Sequence, residues 1–294
     1  MANLIRVKNL TFKYEPDQPP ILQDLETEIA AGEYLALIGP NGSGKTTLIR
    51  HFNALLVPAQ GEVRVDDLLT SNPKNLLEIR RRVGMVFQNP DNQIVGMSVE
   101  EDVAFGPGNL GLPSAEVRRR VDHSLEMVGL GGMQKRSPHK LSGGQKQLLS
   151  LAGLLALKPR VIVLDEPTAS LDPEGREKVL AMLKRLNQEG IAIIHITHNM
   201  EEAALANRIL VMDKGQIIAD GRPGDILSQV SWLKSLGLAP PRITELMWQL
   251  KQAGEDVDTS IFTIDAAREE IMTLLARPEN QEKTSKLQKA GNYV

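Results

Sequence analysis

The sequence predicts an α/β fold with a phosphate-binding loop, and three observations carry that expectation. An apolar run, Tyr34–Ile38, leads through Gly39-Pro40-Asn41-Gly42-Ser43-Gly44-Lys45-Thr46 into a segment where Leu48, Phe52 and Leu55 recur at helical spacing. Three more continuous apolar runs, Val83–Phe87, Val161–Leu164 and Ile191–Ile196, have the character of strands buried on both faces, and each ends in polar residues. Segments of helical periodicity lie between these runs, as an α/β fold requires.

Taken in order, Ile5 to Tyr14 alternates, with a slip at Lys8-Asn9 that suggests a bulge. After a turn over Pro16–Pro20, Leu25, Thr27 and Ile29 alternate again, so an antiparallel pair is expected before the loop strand. Tyr14 is placed to stack on an adenine ring. In the Gly-rich loop the backbone N–H groups point inward as an anion nest, reinforced by the helix N-terminus. Lys45 can reach the β- and γ-phosphates of a nucleotide, and the Thr46 hydroxyl can ligate Mg²⁺. Pro58 is expected to end this helix, and Gly61–Asp66 reads as a short strand. A brief basic helix, Leu76–Arg82, leads to the strand Val83–Phe87 and the amide-rich segment Gln88–Gln93, which suits neither strand nor helix core. Polar residues at the end of a buried strand face the ligand, so Gln88 is a candidate to contact Mg²⁺ or an attacking water.

From Ser98 to about Pro159 the pattern is helical. Val117, Val121, Leu125 and Val128 form one face behind Ser114 as N-cap, with Arg118–Arg120 on the solvated side and a break at Gly129–Gly132. Leu141-Ser142-Gly143-Gly144-Gln145 precedes an apolar helix, Gln147–Leu157, and forms a second anion-binding helix start. Val161–Leu164 ends in Asp165-Glu166; at a strand terminus both carboxylates can turn to a nucleotide. Asp165 suits Mg²⁺, directly or through water, and Glu166 suits a general base or a water-orienting group. Asp172-Pro173-Glu174 starts a helix whose core face is Val179, Met182, Leu183 and Leu186, ended by Gly190. The next strand delivers Thr197-His198, and His198 can donate to a γ-phosphate oxygen, whereas His51, His123, His139 and His195 are expected to be structural or superficial. Arg208–Met212 and Gln216–Asp220 form a hairpin. Helices are expected near Asp225–Leu236, Thr244–Gln252 and Ile264–Ala276, with Trp232 and Trp248 as packing residues.

Bulk properties exclude several classes. The 294 residues can bury a large core and a second small domain. With 34 basic and 37 acidic residues there is no basic excess, and no nucleic-acid partner is expected. The absence of cysteine excludes a disulfide framework and thiol catalysis. Met1–Arg6 lacks a signal-peptide pattern, and the longest apolar run, near Leu148–Leu157, is far short of a membrane span. A soluble, intracellular chain is expected, with any membrane role exercised through a partner.

The six motifs in order resemble the ATP-binding subunit of ABC transporters. Gly39–Thr46 is similar to Walker A, Gln88 to the glutamine loop, Leu141–Gln145 to the signature, Val161–Glu166 to Walker B, the loop ending at Asp172 to the D-loop, and His198 to the switch histidine. The likeness covers about residues 4 to 225. Gln88–Gln93, with Ser98–Gly106 after it, resembles the energy-coupling-factor subgroup, whose ATPases drive uptake of vitamins or of cobalt or nickel ions. The resemblance implies a P-loop NTPase fold with an antiparallel β subdomain, a helical subdomain and a helical C-terminal extension. It implies ATP and Mg²⁺ as ligands, held through Tyr14, Gly39, Pro40, Asn41, Gly42, Ser43, Gly44, Lys45, Thr46 and Thr47, and through Ser142, Gly143, Gly144 and Gln145. Metal contacts would come from Thr46, Gln88 and Asp165, and catalysis from Glu166, His198, Gln88 and Lys45. The implied partners are a second ATPase arranged head to tail, as homodimer or heterodimer, a transmembrane coupling subunit and a substrate-binding membrane subunit, at the cytoplasmic face of the membrane. The domains expected are a cassette over 1–224, with its helical subdomain at about 89–159, a dimerising extension over 225–276 and a disordered tail over 277–294. Two residues depart from the family pattern: Leu148 stands where arginine is common, and Asp67 where a turn glycine is common. Rival readings are the ATPase of another ABC importer class and a soluble ABC ATPase of repair or translation.

Overall fold

The computed structural model describes residues 3–277; apart from Arg277, the tail expected to be disordered lies outside them. In chain order the elements are β1 (Asn3–Phe12), β2 (Leu22–Ala30), β3 (Tyr34–Ile38), α1 (Lys45–Phe52), β4 (Gln60–Val65), β5 (Leu68–Leu69), α2 (Leu76–Arg82), β6 (Val83–Val86), α3 (Val99–Asn109), α4 (Ser114–Met127), α5 (Gly143–Ala156), β7 (Val161–Asp165), α6 (Pro173–Gln188), β8 (Ala192–Ile196), α7 (Met200–Ala203), β9 (Arg208–Asp213), β10 (Gln216–Gly221), α8 (Pro223–Leu227), α9 (Val230–Ser235), α10 (Arg242–Gln252) and α11 (Ile264–Ala276). The described residues divide into two compact units, 3–198 with 206–220, and 199–205 with 221–277.

In the first unit the strands make two sheets, ordered β2-β1-β4-β5 and β10-β9-β3-β8-β7-β6. The first is antiparallel throughout, and β1 slips register against β2 between Val7 and Leu10, where Asn9 takes φ +47°. This is the bulge that the broken alternation indicates. In the second sheet β9, β3, β8, β7 and β6 run parallel. Their residues are almost wholly buried, as continuous Val/Ile/Leu runs require. The C-terminal ends of β3, β8, β7 and β6 therefore lie side by side, and the segments after them supply the site.

Several boundaries differ from the sequence-based expectation. The first helix stops at Phe52, well before Pro58: Asn53 caps it, Ala54 adopts φ +54°, and Leu55 and Leu56 both donate back to the Arg50 carbonyl. Leu55 thus leaves the helical face and is 46 % exposed. Helix α4 begins at Ser114 with extended Pro113 as its cap, so Ser114 is not the N-cap; proline's fixed φ sets the entry. Its buried face is Val121, Ser124 and Leu125. Arg120 is not purely solvated, because it reaches Glu116 and the Ala156 carbonyl. Helix α5 starts at Gly143, four residues ahead of the apolar run. The left-handed residue of the β4–β5 turn is Asp66 (φ +51°), so Asp67 is free of the strain that calls for glycine, and it pairs with Arg6 at 2.9 Å. Asp66 itself takes ion pairs from Arg82 and Arg160.

In the second unit the stretch expected as one helix near Asp225–Leu236 is two, α8 and α9, broken at Ser228–Gln229. Helices α10 and α11 enclose a small core of Met247, Val257, Ala267 and Leu274. The Thr244 hydroxyl donates to the Ile261 carbonyl at 2.8 Å, and Lys234 lies over the Trp248 ring at 5.3 Å. Among the described residues no helix is long and apolar enough to cross a membrane.

Candidate active site

The loop after β3 is shaped by what lies beneath it. Gly39 has φ +151°, and a β-carbon there would fall 2.1 Å from the Met212 carbonyl oxygen of β9, so only glycine permits this approach. The turn after β9 braces the loop from the same side: Gly215 N–H donates to the Ser43 carbonyl at 3.0 Å. The sequence marks 213–215 as a hairpin turn only. Its second role depends on β9 lying beside β3, which no local signal announces.

Above this floor is a cleft of about 370 Å³ lined by Tyr14, Ile21, residues 41–47, Gln88, Asp165, Glu166 and His198. It joins residues from the ends of β1, β3, β6, β7 and β8. Lys45 is 7 % exposed, and its ammonium donates to the Gly39 and Pro40 carbonyls at 2.8 and 2.9 Å. Burial lowers its pKa, opposed by the charges of Glu166 and Asp165. An arriving anion would restore the balance of charge that burial disturbs. The Thr46 hydroxyl donates to Asp165 Oδ2 at 2.8 Å, and burial raises the Asp165 carboxyl above its usual range against that bond.

Glu166, the residue directly after β7, has φ +51°, its N–H donating to the Ile196 carbonyl at 3.0 Å. Neighbouring side chains on a strand point to opposite faces; the left-handed residue breaks that alternation and brings the carboxylate to the cleft that holds Asp165. Strained conformations of this kind persist where the surroundings impose them. The carboxylate is gripped at both oxygens, by Gln88 Nε2 at 2.9 Å and by His198 Nε2 at 2.9 Å. An acceptor fixed between an amide and an imidazole, next to a buried cation, has the equipment to take a proton from water beside a bound phosphate.

Gln88 is held in its own way. The Gln93 side chain accepts from Phe87 N–H at 3.0 Å and donates to the Met85 carbonyl at 3.1 Å, extending the edge of β6 as a further strand would. The amide-rich segment thus contains a short helical turn, Pro90–Asn92, capped by Asn89. Asp91 pairs with Lys146 of α5 at 2.6 Å.

Tyr14, beyond the end of β1, bonds to Thr47 Oγ1 at 3.2 Å, and the residue is 51 % exposed. Ser142–Gln145 do not line this cleft. Ser142 and Gln145 form a reciprocal capping box at 3.3 and 3.1 Å. That box leaves the N–H groups of Gly143 and Gly144 as first-turn donors without an intramolecular acceptor among the described residues. Asp172 caps α6 by accepting from Gly175 N–H at 2.8 Å. His51 and His195 are fully buried, as expected of structural histidines.

Comparison with known proteins follows the same lines. The ABC transporter family model matches residues 22–169. The chain is 51 % identical over 275 residues to the cobalt import ATP-binding protein CbiO of Syntrophus aciditrophicus, covering 94 % of this chain and 98 % of that one. It is 50 % identical over 269 residues to the energy-coupling factor transporter ATP-binding protein EcfA1 of Caldanaerobacter subterraneus subsp. tengcongensis, covering 90 % and 97 %. Among solved structures it resembles cbiO1 of Clostridium perfringens, part of the ABC transporter complex cbiONQ, with TM-score 0.72, 35 % identity and coverage of 84 % and 100 %. It also resembles the ATP-binding cassette MJ0796 in a dimeric post-hydrolysis state bound to ADP and Pi, with TM-score 0.69, 31 % identity and coverage of 74 % and 98 %.

Proposed function

The chain belongs to the ABC transporter family as an ATP-hydrolysing, ATP-binding subunit of the energy-coupling-factor type, and from that premise we propose that it is one half of a head-to-tail ATPase pair. The pair drives uptake of a vitamin or of cobalt or nickel ions through membrane subunits, at the cytoplasmic face of the membrane. The observation that carries this reading is the division of anion-binding elements. One cleft gathers Lys45, Thr46, Asp165, Glu166 and His198, while the Ser142–Gln145 turn lies outside it with donors to spare. A second subunit brings its own such turn over the first subunit's ATP, so that the nucleotide joins the two.

Residues 41–47 cradle the phosphates, Tyr14 stacks on the adenine, and Lys45 leaves the loop carbonyls for the phosphate oxygens. Glu166 takes the proton of the attacking water, Gln88 orients that water, and His198 donates to the γ-phosphate as charge develops. Thr46 and Asp165, with Gln88 beside them, are the oxygen donors that suit Mg²⁺; when bound, the ion neutralises charge on the phosphates. Among the described residues no cluster of three or more His, Cys, Asp or Glu could hold a metal by itself. That fits an ion whose shell is completed by nucleotide and water. The recess of about 560 Å³ that adjoins the cleft at Thr46, Gln88 and Asp165 and extends to Leu55, Leu56, Phe87 and Asn92 receives the membrane subunit. Release of phosphate then moves that subunit through the Gln88 segment. Residues 225–276 make further contact with the partner ATPase.

Affinity purification of the intact chain from detergent-solubilised membranes tests the assembly: a second ATPase cassette and integral membrane subunits are expected to come with it. In that complex Ser142→Arg is expected to abolish hydrolysis while each chain still binds ATP. Recovery of the chain alone, or full hydrolysis by the variant, refutes the proposal.

A further inference from the structure

A loop tyrosine that is half exposed is useful to a base only if something holds it, because ordering it on binding costs affinity. Tyr14 has two tethers. Its ring meets Phe12 edge-on, with centroids 5.0 Å apart and planes at 87°, and its hydroxyl lies 3.2 Å from Thr47 Oγ1. Both tethers lead to the same residue. Phe12 stands edge-on to the His51 imidazole at 4.8 Å and 77°, and His51 Nδ1 lies 2.8 Å from the Thr47 carbonyl. His51 is fully buried, and burial pushes its pKa down to about 4, so the ring is neutral. A carbonyl partner requires the proton on Nδ1, which leaves Nε2 a buried acceptor with no partner among the described residues. An orphaned nitrogen is costly, and a leucine would fill the space without it. A flat ring carrying a donor on one edge does what leucine cannot: it grips the Thr47 backbone and backs Phe12 at once.

We infer that His51 is a positioning residue for the nucleotide base, holding the Tyr14 ring in place through Phe12 and through Thr47, an inference that rests on the stacking role proposed above for Tyr14. His51 touches no nucleotide atom. It sets the ring's orientation before ATP arrives, so its effect falls on base recognition and not on phosphate binding.

The test is equilibrium binding of Mg²⁺-ATP and of inorganic tripolyphosphate, which has no base, to the full chain and to His51→Leu, Tyr14→Ala and the double variant. Edge-on ring pairs and one hydrogen bond set the scale, and His51→Leu is expected to weaken ATP roughly three- to tenfold. Tripolyphosphate affinity is expected to be unchanged, which also shows an intact phosphate loop. The double variant is expected to bind ATP no more weakly than Tyr14→Ala. Equal losses for both ligands, or losses that multiply in the double variant, overturn the inference. If Tyr14→Ala weakens ATP but His51→Leu does not, the positioning role alone falls. If Tyr14→Ala leaves ATP affinity unchanged, the stacking role falls and this inference with it. Should His51→Leu fail to fold, Phe12→Leu is carried through the same cycle with the same expected split.

Discussion

Substituting alanine at Gly39 separates two reasons for glycine in one loop. The added β-carbon would sit 2.1 Å from the Met212 carbonyl oxygen, 3.1 Å from its carbon and 2.9 Å from Ser43 Oγ. Ordinary carbon–oxygen contact is about 3.3 Å, so a displacement of roughly 1 Å is required. Met212 cannot supply it, being fully buried in β9 against β3. The loop must move instead. Overpacking costs about 1–3 kcal/mol and a left-handed non-glycine residue about 1–2 kcal/mol, together roughly 2–5 kcal/mol. At about 2–4 °C per kcal/mol for a domain of this size, the unfolding midpoint falls on the order of 10 °C. A loop misplaced by about 1 Å also lowers turnover on the order of 100-fold. Gly42 is the internal control: it too has positive φ, +78°, but nothing lies within 4 Å of its added β-carbon. Gly42→Ala therefore carries only the conformational cost, about 1–2 kcal/mol and a few degrees. Thermal unfolding of the nucleotide-free proteins compares the two variants, and hydrolysis is read on Gly39→Ala alone, because Gly42 lines the cleft itself. Equal damage at the two positions, or a silent Gly39→Ala, refutes the argument that the β9 carbonyl sets the loop's shape.

Other outcomes follow from the same geometry. Glu166→Gln keeps the side chain's shape and an oxygen for Gln88 but removes the base; hydrolysis is expected to slow on the order of 100-fold or more with ATP binding retained, and near-normal turnover removes Glu166 from its role. Thr46→Val loses the donor to Asp165 and an oxygen for the ion. The gain in ATP affinity that Mg²⁺ confers should disappear, as read by titration with and without EDTA; an undiminished gain shows that Thr46 holds no metal. His51, held near pKa 4 when folded against an ordinary value of 6.5, stays neutral as the unfolded chain takes up a proton. Stability is therefore full above about pH 6.5, declines as the pH falls toward 4, and has then lost about 3 kcal/mol. Denaturant midpoints for the chain and for His51→Phe should diverge as the pH rises from 4 to 6.5, and parallel curves would show that His51 does not couple folding to protons.

The sequence was informative wherever one strand and the turn after it carry the signal. Val161–Leu164 followed by Asp165-Glu166, and Tyr34–Ile38 followed by Gly39–Thr46, announce both a buried strand and the chemistry at its end. Periodicity likewise named the buried face of α6, Val179, Met182, Leu183 and Leu186, because burial on one side of a helix writes a repeat into the chain. It placed helix ends poorly. The left-handed turn at Ala54 ends α1 before proline does, and its cost is met by backbone bonds to Arg50 that no local residue type foretells.

What the chain alone determined is the set of local segments and the residue types at their ends, since strand, loop and cap preferences act over a few neighbouring residues. Tertiary structure decided which of those ends meet. The strand order β3-β8-β7-β6 sets Gln88, Glu166 and His198 within hydrogen-bonding distance, although the first two are 78 residues apart. It lays β9 under the phosphate loop, and it turns Glu166 into the cleft through a backbone conformation that a sequence does not display. Pairing between distant strands is governed by burial of whole sheet faces, a quantity that belongs to the assembled fold and to no single stretch of it.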